Sequence, residues 1–507
     1  MLALPESLPD DPAALKAMVI AERERNARLV QIIKEMQRHR FGRRAETLPE
    51  DQMLLALEEV EQEEAATANA GSSIAAPRQT SARRTNRGSL PAHLPRVEVT
   101  IDIEDKVCPC CAGALHRIGE DVSERLDIVP ARFQVLVTRR PKYACRACES
   151  AIVQAPATPR LIEGGLPTEA TLAHVLVSKY ADHLPLYRQA QIYARQGIDL
   201  DRSTLADWVG RAAWHLRPIH ERLLGHIRSS PRIFADETTA PVLDPGRGRT
   251  KTGQLWAYAR DDRPWGGSDP PAVAYIYAPD RKAERPAAHL AGYVGVLQVD
   301  GYAGYRALAE KNSIHLAFCW AHVRRRFYEL ATADAAPIAT EALARIAALY
   351  EIEADIKGAH ADHRRTIRQD RSRPIVDALE PWLRGKLTTI SQKTKLAEAI
   401  RYALSRWKGL TLFIDDGRVE IDNNVVERAI RPIALNRKNA LFAGSDGGAE
   451  HWATIASLVE TCKLNGVDPQ IYLADVFARI VNGHQNNRID DLMPWNYANT
   501  STLKAVA

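Results

Sequence analysis

The chain has 507 residues, 45% of them hydrophobic, which is enough for roughly three domains with buried cores. Lys and Arg number 68 and Asp and Glu number 63, and the resulting net charge of +5 is too small to indicate nucleic-acid binding by itself. No run approaches the roughly 18 to 20 apolar residues of a membrane helix, and the amino terminus lacks the features of a signal peptide. We therefore expect a cytoplasmic protein without a membrane segment.

Residues 12–46 have the apolar spacing of a single helix, with mostly apolar a and d heptad positions and Asn26 at an a position. Asparagine at such a position can fix the register and the number of paired helices, so the helix either mediates dimerisation or packs onto its own domain. We assign residues 1–65 to this coiled-coil-like helical region. Residues 66–95 are rich in Ala, Ser, Gly, Pro and Arg without an apolar period, and they predict a flexible linker.

Five of the seven cysteines lie close together, in a module that we place at residues 96–160. Two C-x-x-C pairs supply four thiolates, which is the ligand number of a structural Zn²⁺ site and leaves no open position for water. The predicted zinc ligands are Cys108, Cys111, Cys145 and Cys148. The stretch FQVLVTRRPKYA between the pairs predicts strands that form a ribbon. Cys110 lies inside the first knuckle and can replace a ligand of that pair.

Residues 161–229 predict a helical region. Within it two helices flank Gly197, and Asp201 or Ser203 begins the second helix. This is the spacing of a helix-turn-helix that reads DNA, but ordinary helical hairpins share it and plain packing is the commoner explanation. Both a DNA-binding region and a packed hairpin therefore stay open.

From residue 231 the apolar period changes to that of strands. Three strands, RIFADETTAPVL, GQLWAYARDD and AVAYIYAPD, precede a short helix and the buried strand GVLQVD, and IHLAFCWAHV can add a fifth. This order predicts a mixed sheet with helices on its faces, within a domain at residues 230–448. The turn between the first two strands carries Arg247, Arg249 and Lys251, which turn chemistry alone does not explain.

Residues 331–410 have a wholly helical pattern and predict an insertion between the sheet and the segment IDNNVVERAIRP. In that segment Asp422 or Asn423 can cap a helix, because a short side-chain acceptor satisfies backbone N–H groups of the first turn. The last part of the chain, residues 449–507, predicts two helices broken at Asn465, followed by a tail.

Three acidic residues stand where metal-binding carboxylates can converge. Asp236 lies on the first strand, Asp300 ends the strand GVLQVD, and Glu427 lies on the helix predicted after the insertion. Mg²⁺ prefers hard oxygen ligands, and two such ions about 4 Å apart can activate the attacking oxygen and stabilise the leaving oxygen of a phosphodiester. Taken singly, Asp236 is more typical of a surface acid and Asp300 of a turn or helix cap. Glu427 can instead pair with Arg431 one turn away.

Several motifs follow one another along the chain: FGRRAE, the four-cysteine module, ADETTAPVLDPGRGRTKTGQLWAYARDD, QVDGYAGY, CWAHVRRRF, NNVVERAIRPIALNRKNALFAGSDGGAEHWA and LVETCKLNGVDPQIYLADVFARI. With these motifs almost the whole chain resembles transposases of the insertion sequence 66 family, which are bacterial enzymes with a DDE catalytic triad. The resemblance implies a multidomain α/β protein with an RNase H-like catalytic core and a helical insertion. A coiled-coil helix, a zinc-binding module and a helical region precede that core.

The resemblance also implies that Asp236, Asp300 and Glu427 are the catalytic triad and bind Mg²⁺ or Mn²⁺, beside a structural Zn²⁺. The implied reaction is hydrolysis at the ends of the element, which exposes 3′ hydroxyls, followed by their attack on target DNA. The implied partners are terminal inverted repeats, target DNA, further copies of the chain in a homodimer or higher oligomer, and small accessory proteins encoded by the same element. We expect it to act in the cytoplasm, associated with the nucleoid.

Cations near the acids are candidates for contacts to DNA phosphates. Besides the hairpin-turn residues, these are Arg428, Arg431, Arg437 and Lys438, and the arginines at 324–326 are further candidates. Cys319 and His322 form a C-x-x-H pair, but one pair lacks two partners for a tetrahedral metal, which favours a packed strand-to-helix junction.

Two other functions compete with transposition. The first is a zinc-ribbon DNA-binding protein whose RNase H-like core is inactive and which acts as a binder or regulator. The second is a structure-selective nuclease on the same core, which accounts for the acids but not for the zipper-like helix. The three acids together with the basic turn favour the transposase.

Overall fold

The protein is described by a computed structural model, which covers residues 95–100, 110, 123–126, 131–144, 152–244, 248–311, 313–333 and 336–498. Several predicted features lie outside these residues: the coiled-coil-like region, the linker up to residue 94, the four predicted zinc ligands and Arg247.

A small two-stranded sheet lies in the amino-terminal part of the described chain. Strands β1 (Lys142–Ala144) and β2 (Ile152–Gln154) pair antiparallel. The ribbon predicted from FQVLVTRRPKYA is wrong before residue 142, because residues 133–141 form no strand. The side chains of Val135 and Leu136 are 87% and 76% exposed, so no described part of the chain covers these two apolar residues.

Three helices follow: α1 (Glu169–Tyr180), α2 (Leu186–Ala194) and α3 (Arg202–Arg228). The turn before α3 contains Gly197 at φ +78°, a left-handed conformation that glycine adopts without a steric penalty. Asp201 accepts a hydrogen bond from the Ser203 N–H at 2.7 Å and caps α3, which confirms one of the two predicted caps. Leu216 and Leu223 of α3 are fully buried, so this helix packs into the main core.

A mixed five-stranded sheet forms the centre of the molecule, as predicted. Its strands are β3 (Arg232–Asp244), β4 (Arg249–Arg260), β5 (Ala272–Ala278), β6 (Gly295–Val299) and β7 (Ile314–Phe318). They lie in the order β5-β4-β3-β6-β7. β4 runs antiparallel to both β3 and β5, whereas β6 runs parallel to β3 and β7 runs parallel to β6. The pairing of β3 with β6 covers only Arg232 to Phe234, so most of β3 extends past β6.

Helices connect and cover the parallel strands. They are α4 (Glu284–His289), α5 (Ala303–Lys311) and α6 (Trp320–Ala333). Between α6 and residue 416 the described chain is helical, as predicted for the insertion. Its helices are α7 (Pro337–Asp355), α8 (Ala361–Ile367), α9 (Arg373–Thr389), α10 (Lys395–Leu404), α11 (Trp407–Leu410) and α12 (Leu412–Asp415), with a π-helical turn at Arg368–Ser372. These helices share a second hydrophobic core with β7 and α6.

Residues 364–373 of this helical part include five arginines, and they do not form a uniformly solvated face. Arg364 and Arg368 are buried, and both donate to the carboxylate of Glu353 on α7. Arg364 also donates to Glu420 at 2.7 Å, and Arg368 donates to the carbonyl oxygen of Phe413 at 2.9 Å. Two arginines thus fasten the helices to the segment that precedes the last acid.

The chain ends in α13 (Asn424–Ala440), α14 (Asp446–Leu464), α15 (Pro469–Val481), a 3₁₀ turn (Asn486–Leu492) and α16 (Pro494–Ala498). The break between α14 and α15 confirms the predicted one, and Asp468 caps α15 by accepting from the Ile471 N–H at 2.9 Å. α14 packs on β5, where its Ser457 hydroxyl accepts from the Tyr275 N–H at 2.8 Å. Within the described part of the chain, no helix is both long and apolar enough to cross a bilayer.

Candidate active site

The first two predicted acids are neighbours because of the register between two parallel strands. Phe234 of β3 lies opposite Gln298 of β6, and Asp236 and Asp300 each lie two residues further along. Neighbouring strands are about 5 Å apart, so the two carboxylates leave the sheet side by side. This point is also where β6 ends and β3 continues.

Backbone groups hold both carboxylates in place. One carboxylate oxygen of Asp236 accepts from the Glu237 N–H at 2.8 Å, and one of Asp300 accepts from the Tyr302 N–H at 3.0 Å. The hydroxyl of Tyr402, from α10, donates to the Asp300 carbonyl oxygen at 2.9 Å. Tyr402 therefore joins the helical part of the chain to the second acid, a contact that the sequence pattern did not reveal.

Glu427 reaches the same region from the first turn of α13, with its side chain buried. Burial raises the pKa of Asp236 well above its usual range, and three carboxylates raise it further: Asp300, Glu237 and Glu427. The charges of Asp300 and Glu427 thus both act on the carboxylate of Asp236. Such a cluster of hard oxygen donors fits a divalent cation, which would offset the mutual repulsion that raises the pKa.

A fourth carboxylate, Glu237, lies on the opposite face of β3, since successive residues of a strand point to opposite faces. Its side chain is 2% exposed and forms an ion pair with Arg281, whose Nε donates at 2.8 Å. The Tyr305 hydroxyl donates to its other oxygen at 3.2 Å. Burial, with a contribution from Asp300, raises the pKa of Glu237 to about 7. The sequence pattern does not identify Glu237 as part of the site.

The C-x-x-H pair lies at the predicted junction between β7 and α6. The Cys319 sulfur is buried and accepts a hydrogen bond from the Asn423 N–H at 3.3 Å. His322 Nδ1 lies 3.8 Å from Glu427 Oε1, and one ligand atom each of Cys319, His322 and Glu427 lie within 4.8 Å of one another. Burial raises the pKa of the Cys319 thiol well above its usual range, and the negative charges of Glu427 and Asp422 raise it further. The junction is therefore packed, as predicted, but it also adjoins the third acid.

Of the two caps predicted for α13, Asp422 accepts from a backbone N–H of the first turn, as expected, and Asn423 does not. Asn423 occupies the N-cap position of α13 without a side-chain capping bond, and its Nδ2 instead donates to the Ala235 carbonyl oxygen at 3.3 Å. Asp422 accepts from the backbone N–H of Asn424 at 3.1 Å and from its side-chain amide at 3.0 Å.

The structure corrects one predicted phosphate contact. Arg437 is only 7% exposed and its guanidinium faces β3, where it donates to the hydroxyl oxygens of Thr238 and Thr239 at 3.2 and 2.8 Å. It also donates to the Thr239 carbonyl oxygen. A guanidinium used in this way inside the protein is not placed to meet a DNA phosphate.

The other predicted cations differ in exposure. Arg249 and Arg428 are exposed, and Arg431 and Lys438 are partly buried. Lys251 forms an ion pair with Asp446 at 2.6 Å, so its charge is matched within the protein.

Two further arginines lie next to the second acid. Arg326 and Arg406 stack on the ring of Tyr402, with guanidinium carbons 4.0 and 3.8 Å from the ring centroid. Arg326 is one of the candidates at 324–326. Arg406 was not predicted, because nothing in its local sequence separates it from an ordinary surface arginine.

Comparison with known families gives matches along most of the chain. A family described as "Transposase IS66 family" matches residues 164–451. Residues 105–149 match the zinc-finger binding domain of transposase IS66, and residues 457–495 match the IS66 C-terminal element. Residues 28–99 match a family described as "Transposase C of IS166 homeodomain".

Similar proteins occur in Sinorhizobium fredii. The chain is 51% identical to the uncharacterized protein y4jD over 427 residues, which is 83% of each chain. It is 46% identical to the uncharacterized protein y4qI over 498 residues, covering 96% of this chain and 92% of that one. The uncharacterized protein y4hP is 39% identical over 492 residues, covering 92% of this chain and 88% of its own.

Proposed function

Since the chain belongs to the IS66 family of transposases, we propose that it cuts and joins DNA strands at the ends of an insertion sequence in a metal-dependent reaction. The observation that carries this proposal is the register of β3 and β6, which places Asp236 beside Asp300, together with the charge of Glu427 acting on Asp236. We assign these three acids as the catalytic, metal-binding triad.

The strand order supports an RNase H-like core for residues 230–448. Three antiparallel strands continue into two strands parallel to the first, with the acids at the carboxyl end of β6 and beside it on β3. The helices within residues 331–410 are an insertion in that core. The helical region at residues 161–229 would contact DNA in this proposal, and in the carboxy-terminal region, residues 449–507, α14 packs on β5 of the sheet.

Mg²⁺ or Mn²⁺ bound by the three carboxylates would activate the attacking oxygen and stabilise the leaving oxygen. In the first step a water oxygen attacks the phosphorus at the end of the element, and the bond to the 3′ oxygen breaks to leave a free 3′ hydroxyl. In the second step that hydroxyl attacks a phosphodiester of target DNA, and the displaced 3′ oxygen leaves. Asp300 and Asp236 are held for this by backbone N–H groups, which fix the direction of their free oxygens.

Exposed and partly buried cations would hold the DNA backbone. We assign this role to Arg249, Arg428, Arg431 and Lys438. Arg247 and Lys251, from the same predicted turn as Arg249, are weaker candidates. Arg326 and Arg406 would bring positive charge next to Asp300 through their shared stacking on Tyr402.

The zinc-binding module has a structural role in this proposal. Four thiolates, from Cys108, Cys111, Cys145 and Cys148, would close the coordination sphere of one Zn²⁺. The match to the zinc-finger binding domain supports this assignment. Cys110, which is exposed, is left out of the ligand set. Metal analysis of the purified protein should find one zinc per chain.

The experiment that tests the function uses labelled DNA carrying the ends of the element, incubated with the purified full chain. Strand cleavage that leaves 3′ hydroxyls, requires Mg²⁺ or Mn²⁺ and stops with EDTA is the expected result. Joining of those ends to a second DNA would establish strand transfer. End binding without cleavage at any metal concentration would instead identify a zinc-ribbon DNA-binding protein with an inactive core.

A further inference from the structure

The residues just before Glu427 dock onto the strands that carry the other two acids. Gln298 is buried in β6, two residues before Asp300. Its side-chain oxygen accepts from the Glu420 N–H at 2.9 Å, and its nitrogen lies 3.0 and 3.2 Å from the carbonyl oxygens of Glu420 and Asp422. One amide side chain on the strand of the second acid therefore holds the segment that leads to the third.

Asn423 makes the corresponding contact to the strand of the first acid. It is 1% exposed, and its Nδ2 donates at 3.3 Å to the carbonyl oxygen of Ala235, the residue before Asp236. Its backbone N–H donates to the Cys319 sulfur at the end of β7. Its carbonyl oxygen accepts from the Glu427 N–H at 3.3 Å. The same residue thus contacts two strand ends and the backbone of Glu427.

Packing alone does not explain an asparagine at this position. The side-chain oxygen Oδ1 of Asn423 is buried, and no described residue donates a hydrogen bond to it. An unsatisfied buried acceptor costs free energy that an apolar side chain of similar size would avoid. The side chain therefore acts through the bond that Nδ2 makes to β3.

We propose that Gln298 and Asn423 are positioning residues that set the place of Glu427 relative to Asp236 and Asp300. This inference rests on the proposed function, because it treats Glu427 as a metal ligand. Gln298 fixes the position of Glu420 and Asp422 along β6, and Asn423 fixes the first turn of α13 against β3. Residues that orient metal ligands in this way typically change metal affinity or activity by about 10- to 100-fold when they are replaced.

The test compares two variants with a matched control in the full, zinc-loaded chain. Asn423→Ala removes the bond to Ala235, and Gln298→Met removes the contacts to Glu420 and Asp422 while keeping a side chain of similar length. The control is Asn465→Ala, which removes side-chain bonds to the carbonyl oxygens of Pro271 and Thr461, at the end of α14. Mn²⁺ affinity is measured by calorimetry, and the Mg²⁺ concentration that gives half-maximal cleavage is measured on end DNA.

Both test variants should bind Mn²⁺ about 10- to 100-fold more weakly and need correspondingly more Mg²⁺, whereas the control should match the wild type. Wild-type metal dependence in both variants, or an equal change in the control, would overturn the inference. If Asn423→Ala does not fold, as judged by circular dichroism, Gln298→Met decides.

The two proposals fail in different ways. A wild-type chain that binds Mn²⁺ but never cuts DNA would remove the proposed reaction, and the Mn²⁺ affinities of the variants would still decide the positioning role. A wild-type chain that binds no Mn²⁺ beyond its zinc would overturn both.

Discussion

Arg437, near the end of α13, donates a hydrogen bond to the hydroxyl oxygen of Thr239 on β3 at 2.8 Å. The two residues are far apart in sequence, and their contact fixes the carboxy-terminal end of α13 against the strand that carries Asp236. This end of the helix is therefore fixed to β3, as the end that carries Glu427 is through the bond between Asn423 and Ala235.

Replacing Arg437 should destabilise the protein. Arg437→Ala leaves buried acceptors on Thr238 and Thr239 without their donor, and hydrogen bonds to charged groups are worth about 1.5 to 3 kcal/mol each. We expect a loss of about 3 kcal/mol in the free energy of unfolding, measured in urea. Arg428→Ala, on the exposed side of the same helix, is the control and should change it by less than about 0.5 kcal/mol. Equal effects of the two substitutions would contradict the buried role of Arg437.

For DNA binding we expect the reverse: the substitution of Arg428 should change the salt dependence of binding, and the substitution of Arg437 should not. An exposed cation that meets a phosphate displaces counterions, so Arg428→Ala should weaken binding to end DNA and reduce the slope of log affinity against log salt by about 1. Arg437→Lys, which keeps the charge, should leave that slope unchanged. Fluorescence anisotropy at several salt concentrations measures both. An unchanged slope in Arg428→Ala would remove this residue from the proposed DNA contacts.

Removing any of the three acids should abolish cleavage but not DNA binding. Asp236→Asn, Asp300→Asn and Glu427→Gln each remove one anionic ligand, and a loss of several kcal/mol of transition-state stabilisation lowers the rate at least about a thousandfold. Cleavage of labelled end DNA and a binding assay on the same DNA are the measurements. Asp280→Asn, which alters an ion pair with Arg285 outside the site, should cut normally. A variant that still cuts would show that its residue is not in the triad.

Glu353 should be far more important for stability than its exposed neighbour Asp355. Glu353→Ala leaves Arg364 and Arg368 buried without their shared carboxylate, and such a loss typically costs about 3 to 5 kcal/mol. Asp355→Ala breaks an ion pair with Arg371 whose partners are 45% and 60% exposed, so it should cost at most about 1 kcal/mol. Urea unfolding of the two variants gives the comparison. Similar costs would mean that the arginine pair does not depend on Glu353.

His220 should make the protein less stable in acid. Its Nε2–H donates to the Tyr275 carbonyl oxygen at 3.0 Å, and burial lowers its pKa to about 4, an effect that this hydrogen bond partly offsets. Between pH 6.5 and 4 the unfolded chain binds a proton at this site that the folded chain does not. Stability is therefore complete above about pH 6.5 and falls by about 3 kcal/mol as the pH drops towards 4.

The control for this effect is His220→Gln, which keeps an N–H donor but does not titrate. Thermal unfolding from pH 7 to 4 should show a smaller loss of stability in this variant than in the wild type. Equal losses in the two proteins would show that His220 is not the group responsible.

The strands of the sheet and the position of Asp300 directly after β6 were predictable because both leave local patterns in the sequence. Alternating or continuous apolar runs marked the strands, and a carboxylate at the end of a buried strand marked Asp300. The proximity of Asp236 and Asp300 depends on the pairing of Phe234 with Gln298, and no local pattern specifies that register.

The buried polar contacts were not predictable for a related reason. Arg364, Arg368 and Arg437 look like surface cations, because arginine is usually exposed and their partners lie far away in sequence. Asn423 has the sequence position of a helix cap. Its bond to Ala235 was not predictable, because it exists only once β3 and α13 have packed together.

The limited pairing of β3 with β6 has a consequence for the behaviour of the protein in solution. Past Phe234 no described strand lies on that side of β3, and an uncovered strand edge can recruit the backbone of another chain. Asn423 and Arg437 occupy the carbonyl oxygens of Ala235 and Thr239 on this edge. Further along, the backbone of residue 443 pairs with residues 241 and 243. Side chains from one helix thus take the place of a missing strand, and the strand that bears the first acid is shielded from aggregation.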